Sequence, residues 1–213
     1  MSFFDTKRTA DYSPLAVHFT KSHRMVCEDL IIEDNPLFNF RETDAKNRLI
    51  NILTHRVIHT SPMPFISSNP TAICFTECIW EGLTSLVDKY SPYGIVFRKR
   101  QLFDLGGGPA LYLRGDVLVG TEDQIPQALR SFIAPFDPEA RIREGVPLDW
   151  LHEREWRLPV SLQFEYADIV HVLVDTIQEA TEIVHQIGAQ NLPESKMIPM
   201  EVYRNVNTAW SEE

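Results

Sequence analysis

His18 and Thr20 are the first side chains along the chain whose types and spacing are suited to holding a ligand. They lie in the apolar run "LAVHFT", which follows the breaker pair Ser13-Pro14 and predicts a β-strand. Residues two apart on a strand face the same side of the sheet. An imidazole and a hydroxyl on one face can hold a ribose or an amide through directional hydrogen bonds. The alternative is that His18 only ties the end of the strand to neighbouring backbone.

The stretch "CFTE", residues 74 to 77, repeats the form of "HFTK" and closes another predicted strand ahead of a predicted helix. Thr76 at this position can cap the helix, and Glu77 would then lie in its first turn, where the helix dipole favours an anion. A helix N-terminus beside a strand end is also a ready site for an anionic group. Thr76 is therefore predicted either as a helix cap or as a binding residue.

The segment "HEREWRLP", residues 152 to 159, contains the two candidate catalytic carboxylates, Glu153 and Glu155. In an extended strand these glutamates and Arg157 share one face. They can form a salt-bridged surface, or one carboxylate can face a reacting centre while the arginine orients it. We expect Glu155 to be the functional one, because Trp156 should anchor the backbone beside it in the core. Glu153 is expected to be solvated.

The spacing of histidines and cysteines predicts no metal site. His55 and His59 lie four residues apart on a predicted helix, but Arg56 replaces the glutamate of a zinc-protease motif and no third ligand suggests itself. They are predicted to be exposed helix histidines. Cys74 and Cys78 lack the spacing of a structural zinc site and are predicted to be core thiols.

The charge balance opposes a broad electrostatic grip on nucleic acid. The chain has 30 acidic and 20 basic residues, a formal net charge of -10, whereas binding to phosphate backbone needs a basic surface. The run Arg98-Lys99-Arg100 is typical of a solvated strand end, with a local basic patch as the alternative.

Composition predicts a cytoplasmic protein with no membrane span. No run approaches the roughly 18 apolar residues of a transmembrane helix, and the first residues contain no stretch typical of a secretion signal. Three cysteines without framework spacing suit a reducing compartment.

The order of predicted elements favours an α+β fold: a single domain over residues 1–213, with its core at about 15–203 and a mixed or antiparallel sheet flanked by helices. Strands are predicted in "LAVHFT", "TAICFTE", "YGIVF", "PALYLR", "EREWRLPV", "DIVHVLVD" and "MIPMEVY". Helices are predicted at about 43–59, 122–133 and 176–186, with others from Ser22 and after Glu77. Residues 35–40 are predicted to be loop, 61–70 irregular and 134–148 polar loop.

Five stretches in order resemble the abortive-infection AbiGi-like proteins of bacterial antiphage systems: "VHFTK", "AICFTE", "YSPYGIVFRKRQL", "GGPALYLR" and "HEREWRLP". The resemblance covers residues 15–203. It departs at Thr76-Glu77, where an acidic residue is expected directly after Phe75. It also departs after Thr20, where a glycine-containing turn is missing.

More remotely, the layout is similar to the ADP-ribosyltransferases, including the DarT-like toxins that modify DNA. In those toxins a strand reading "HFT" begins the fold and its histidine contacts the NAD ribose. The similarity implies an ADP-ribosyltransferase-like fold with NAD as substrate. It also implies a site formed by His18 with Thr20, then Thr76, then Glu155 or Glu153.

The resemblance implies an antiphage or toxin-type protein that transfers ADP-ribose from NAD to a nucleic acid or protein, or hydrolyses NAD. Cleavage of the nicotinamide–ribose bond passes through an oxocarbenium-like centre, which a nearby carboxylate stabilises. Phe19 or Phe75 would stack on the nicotinamide ring, which is cationic before cleavage. The alternative is a non-catalytic antitoxin-like or sensor subunit that binds a toxin or phage protein, because an acidic chain suits a basic partner.

Overall fold

The computed structural model describes residues 12–21, 44–63, 66–77, 86–87, 90–141, 147–149 and 151–203. The predicted helix from Ser22, the loop at 35–40 and Cys78 lie outside these residues, as does most of the helix predicted after Glu77. The chain divides into two compact units. The first comprises Met1–Ala16, Ile58–Cys78 and Arg98–Gln163; the second comprises Val17–Val57, Ile79–Phe97 and Phe164–Glu213.

The strands in the described residues are β1 (Leu15–Phe19), β2 (Val57–Ile58), β3 (Ser61–Pro62), β4 (Thr71–Glu77), β5 (Gly94–Arg98), β6 (Gly108–Pro109), β7 (Leu111–Arg114), β8 (Ile133–Arg141), β9 (Pro147–Leu148), β10 (Glu155–Leu158), β11 (Leu162–Gln163), β12 (His171–Val174) and β13 (Met197–Pro199). The α-helices in the same described residues are α1 (Ala45–His55), α2 (Lys99–Asp104), α3 (Gly115–Thr121), α4 (Gln127–Arg130) and α5 (Ile177–Ile187). Short 3-10 turns cover Glu122–Gln124, Leu151–Glu153 and Glu194–Lys196.

Strand pairing confirms the predicted α+β class with a mixed, mostly antiparallel sheet. In the first unit the order is β4-β10-β6, with β3 beside β4, and each of these pairs is antiparallel. In the second unit the order is β13-β12-β5-β1; β12 runs parallel to β13 and antiparallel to β5. A separate sheet of the first unit has the order β7-β8-β9, with β7 and β8 parallel.

The two longest helices among the described residues belong to the second unit and begin at capping side chains. The Asp44 carboxylate accepts a hydrogen bond from the backbone N–H of Asn47, and the Thr176 hydroxyl accepts one from that of Glu179. Such caps satisfy backbone donors that have no partner inside the helix. Each helix buries one apolar stripe, formed by Ala45, Leu49 and Leu53 in α1 and by Ala180, Ile183 and Val184 in α5.

The helix predicted to reach His59 ends at His55. Arg56 adopts a left-handed conformation (φ 54°) and closes the helix as its C-cap, after which Val57–Ile58 is extended. His55 and His59 therefore do not share a helix face, and the prediction of two helix histidines four residues apart is wrong. Both side chains are exposed.

The region from 115 to 148 also differs from its prediction. The single helix expected at 122–133 is replaced by a 3-10 turn and the short helix α4, because Ile125 precedes Pro126 and is extended. The helix α3 lies before this range. The polar loop expected at 134–148 contains β8 and β9. β8 contains two prolines, which cannot donate to a strand ladder, yet β8 pairs with both of its neighbours. Likewise, Ser61–Pro62, in the stretch expected to be irregular, pairs with β4.

Across the described parts of the chain, no helix combines the length and apolar character needed to cross a membrane.

Candidate functional site

The predicted site residues fall into two groups, one in each compact unit. Phe75, Thr76, Glu153 and Glu155 belong to the first unit, and His18-Phe19-Thr20 belongs to the second.

The antiparallel pair β4–β10 brings Thr76 and Glu155 together. Thr76 lies directly opposite Glu155, and Phe75 lies opposite Trp156. Directly opposite residues share a face of the sheet, and successive residues alternate between faces. Thr76, Glu155 and Arg157 therefore lie on one face of this strand pair, and Phe75 and Trp156 lie on the other.

Glu155 and Arg157 form a bidentate ion pair on their common face. Arg157 Nε donates to Glu155 Oε1 at 3.0 Å, and Arg157 Nη2 donates to Oε2 at 3.1 Å. The third guanidinium nitrogen, Nη1, donates to the carbonyl of Ile133 at 2.6 Å and to that of Ser131 at 3.3 Å. Both members are buried, with Glu155 only 8% exposed. A paired guanidinium fixes the position and orientation of the carboxylate.

Glu153 does not lie on the same strand as Glu155, as had been predicted. It ends a 3-10 turn, Arg154 adopts a left-handed conformation (φ 46°), and β10 begins only at Glu155. The left-handed residue interrupts the alternation from which a common face was inferred. The prediction that Glu153 is solvated is also wrong, because its side chain is 6% exposed.

Tyr112, which the sequence pattern did not single out, lies beside Glu155. The backbone N–H of Ala110, two residues before Tyr112, donates to the carbonyl of Glu155 at 2.8 Å. Burial, and next the negative charge of Glu155, raise the pKa of the Tyr112 phenol. Sequence reasoning assigned "PALYLR" to a strand, but nothing local in that stretch indicates that its tyrosine meets a glutamate far along the chain.

A second buried ion pair, Glu77–Lys99, lies on the opposite face of β4 from Thr76. Lys99 Nζ is 2.8 Å from Glu77 Oε2, and Glu77 Oε1 accepts the N–H of Ser13 at 2.8 Å. The Lys99 ammonium lies 4.7 Å from the Tyr12 ring centroid and 5.2 Å from that of Trp156, within the range of cation–π attraction. Burial lowers the pKa of Lys99, and the hydrogen bond to Glu77 opposes this shift.

The positions of Glu77 and Lys99 in the fold correct two predictions. Glu77 is the last residue of β4 rather than part of the first turn of a helix, and Thr76 lies within the same strand. Lys99 begins α2 and is 2% exposed, so the basic run around it is not a uniformly solvated strand end. The role of Glu77 that the structure indicates is to neutralise Lys99.

In the second unit, Thr20 and Phe19 make contacts that stabilise the fold. The buried Thr20 hydroxyl donates to the carbonyl of Ala45 at 2.8 Å, with the carbonyl of Tyr93 at 3.3 Å. The Phe19 ring stacks on Tyr90 with centroids 5.5 Å apart. His18 is half-buried. These contacts give Thr20 a structural role at the end of β1.

Phe75 is 1% exposed and belongs to the core. Trp156, expected in the core, is instead half-buried.

Tyr93 donates a hydrogen bond to Glu179 in the second unit. Its hydroxyl lies 3.0 Å from each carboxylate oxygen of Glu179, and burial, followed by this hydrogen bond, raises the pKa of the phenol. A phenol with a raised pKa favours folding below its unfolded pKa of about 10, and this contribution is lost as pH rises further.

We therefore expect the free energy of unfolding to fall less in Tyr93→Phe than in the parent protein when the pH is raised from 8 to above about 10. Urea unfolding midpoints of the two proteins at each pH provide the measurement. Equal losses in both proteins would show that Tyr93 does not cause the alkaline sensitivity.

The first unit also contains a groove of about 530 Å³. Residues that line it include Ala110, Leu111, Tyr112, Ile125, Leu129 and Ile133.

Over the residues with described placement, no group of three or more His, Cys, Asp or Glu side chains could hold a metal ion. Cys74, predicted to be a core thiol, is half-buried.

No protein-family model, curated protein or solved structure matches the chain. A function must therefore be inferred from its residues and their geometry.

Proposed function

We propose that this chain is an antiphage or toxin-type enzyme that cleaves the nicotinamide–ribose bond of NAD and transfers ADP-ribose to a nucleic acid or protein, or to water. The observation that carries the proposal is the buried Glu155 carboxylate, held at both oxygens by Arg157. It lies on a sheet strand directly opposite Thr76.

The proposed reaction requires a carboxylate at a fixed position. The bond between the ribose carbon and the nicotinamide nitrogen breaks, and its electron pair leaves with the nitrogen. The ribose carbon becomes oxocarbenium-like, and a negative charge beside it lowers the energy of the transition state. The acceptor oxygen or nitrogen then bonds to this carbon and releases its proton. Arg157 supports the step by preventing Glu155 from moving away from productive geometry.

In this proposal Thr76 supplies a hydroxyl on the same face as Glu155. Phe19 and Thr20 act through the fold, because their contacts with Tyr90 and Ala45 stabilise the end of β1.

The test is release of nicotinamide from labelled NAD by the purified protein, with cell lysate or nucleic acid as acceptor. We expect Glu155→Asp to reduce the rate roughly 10²-fold or more, the scale of a displaced electrostatic group. Aspartate keeps the charge that Arg157 needs, whereas Glu155→Gln would leave a buried guanidinium without its counter-charge. Glu153→Gln is the comparison variant and should reduce the rate much less.

An unchanged rate in Glu155→Asp would contradict the requirement for a carboxylate at a fixed position. If the protein neither releases nicotinamide nor binds NAD by calorimetry, the enzyme proposal is refuted altogether. Circular dichroism of each variant separates loss of activity from loss of folding.

A second candidate function is a non-catalytic antitoxin-like or sensor subunit that binds a protein partner. Exposed apolar side chains on the first unit favour it: Val119 is 86% exposed, and Val117 and Leu129 are about half as exposed. Exposed apolar surface is typical of interaction sites. A partner-binding protein would lose affinity in Val119→Lys and keep it in Glu155→Asp, whereas an enzyme would show the opposite pattern in its activity.

A further inference from the structure

Strand register places Tyr112 beside Glu155. Pro109 lies opposite Trp156 in the antiparallel pair of β6 and β10, so the next residue along the chain, Ala110, lies opposite Glu155. The Ala110 N–H donates to the Glu155 carbonyl at 2.8 Å, as this register requires. Tyr112 follows two residues later and is the diagonal neighbour of Glu155. A diagonal neighbour on the same face is within reach of an aromatic side chain.

The chain between β6 and β7 is extended, so Ala110 and Tyr112 share a face. The N–H of Ala110 points to β10, whereas the N–H of the next residue, Leu111, points the other way and donates to the carbonyl of Phe132 at 2.8 Å. Successive N–H groups that point to opposite edges are typical of a strand, and residues two apart on a strand face the same side. The Tyr112 side chain therefore lies on the face that carries Glu155.

The Tyr112 phenol contacts the backbone of Glu155. Burial is the main cause that raises the pKa of this phenol, and a hydrogen bond with the backbone of Glu155 opposes the rise. A hydrogen bond that lowers the pKa of a phenol is one that the oxygen accepts, so the donor is the N–H of Glu155. The Ala110 N–H holds the carbonyl of the same residue, and Arg157 holds its carboxylate. Glu155 is thus bonded at its N–H, its carbonyl and its carboxylate.

Glu155 depends on these contacts because it is the first residue of β10. The residue before it, Arg154, adopts a left-handed conformation (φ 46°), and the strand begins only at Glu155. The ends of strands open more readily than their centres. A carboxylate that must keep a fixed position beside a reacting carbon is sensitive to such motion, since a displacement of about 1 Å can reduce a rate about 10²-fold.

We propose that Tyr112 is a positioning residue for the Glu155 carboxylate, because its hydroxyl fixes the first residue of β10 from the neighbouring strand. The effect on the reaction rests on the proposed function, whereas the hydrogen bond exists whether or not the protein is an enzyme. Tyr112 acts through Glu155 rather than through the substrate. Its loss should therefore lower kcat and leave KM unchanged.

The test is Tyr112→Phe, which keeps the ring and removes only the hydroxyl. Nuclear magnetic resonance of the isotope-labelled protein follows hydrogen exchange of the Glu155 amide and of the Arg157 Nε–H. We expect both groups to exchange about five- to tenfold faster than in the parent, the scale of one lost hydrogen bond. Under the proposed function, kcat for nicotinamide release should fall by about the same factor while KM stays unchanged.

The matched control is Tyr166→Phe in the second unit. The Tyr166 hydroxyl donates to the carbonyl of Leu53 at 3.0 Å, so this variant also loses one tyrosine hydrogen bond. Its urea midpoint should fall about as much as that of Tyr112→Phe. Exchange at Glu155 and the rate of nicotinamide release should stay as in the parent. The comparison separates positioning of Glu155 from a general loss of stability.

Unchanged exchange of either group in Tyr112→Phe would overturn the proposal, whatever happens to the rate. Faster exchange with an unchanged kcat would also overturn it, and a rate that still falls in Glu155→Asp would then leave the proposed function standing. If the parent protein does not cleave NAD and both groups exchange faster in Tyr112→Phe, the proposed function fails while Tyr112 keeps its role in holding the Glu155 carboxylate.

Discussion

Arg157→Met is expected to lower the free energy of unfolding by about 3–5 kcal/mol, the cost of removing one member of a buried ion pair. The Glu155 carboxylate would remain buried without its counter-charge, and the carbonyls of Ile133 and Ser131 would lose a charged donor. Methionine fills similar space, so the loss reports the charge rather than a cavity. Urea denaturation with a constant slope provides the measurement.

Two further variants identify the cause. The double variant Glu155→Gln/Arg157→Met should recover much of the loss, because it removes both buried charges. Arg114→Met breaks the exposed pair with Asp116 and should leave the unfolding midpoint nearly unchanged, as is usual for exposed pairs. If Arg157→Met resembles Arg114→Met, the buried pair does not stabilise the fold as its geometry indicates.

Lys99→Met is expected to produce a second loss of about 3–5 kcal/mol for the same physical reason. The Glu77 carboxylate would be buried with only the Ser13 N–H to stabilise its charge. The rings of Tyr12 and Trp156 would also lose the ammonium between them. The measurement is the urea midpoint, with Lys46→Met as the control because Lys46 and its partners Glu179 and Glu182 are all more exposed than Lys99 and Glu77.

Glu77→Gln separates the two partners of this pair. It leaves the Lys99 ammonium buried, where burial already lowers the pKa of the amine. Loss of the opposing carboxylate should lower that pKa further.

A Lys99→Met variant as stable as Lys46→Met would contradict the assignment of this pair to the core of the first unit.

Local periodicity predicted those features that depend on neighbouring residues. Glu155 and Arg157 share a face because they are two apart on a regular strand, and this follows from alternation alone. The helix predicted at about 176–186 is observed as Ile177–Ile187, because a Thr176 cap and an apolar stripe are both local signals. The α+β class followed from the mixed order of such elements.

Features that depend on distant residues could not be predicted in this way. The carbonyl that accepts the hydrogen bond from the Thr20 hydroxyl lies 25 residues further along the chain. Nothing in the sequence around Thr20 therefore indicates this structural contact. Lys99 appeared to be one of three solvated cations because nothing near it indicates that Glu77 comes within 2.8 Å. For Glu153, one left-handed residue at Arg154 was enough to defeat an argument from strand periodicity.

The burial of Lys99 has a consequence for chemical labelling. Amine-acylating reagents attack a neutral, accessible amine, and in the folded protein this amine is 2% exposed and contacts a carboxylate. Modification of Lys99 therefore requires the protein to open at least locally, so its rate depends on the population of the open state. Mass spectrometry of acylated peptides would then compare Lys99 with the more accessible Lys46 in a single sample. The acylation rate of Lys99 relative to Lys46 would report how often the first unit opens.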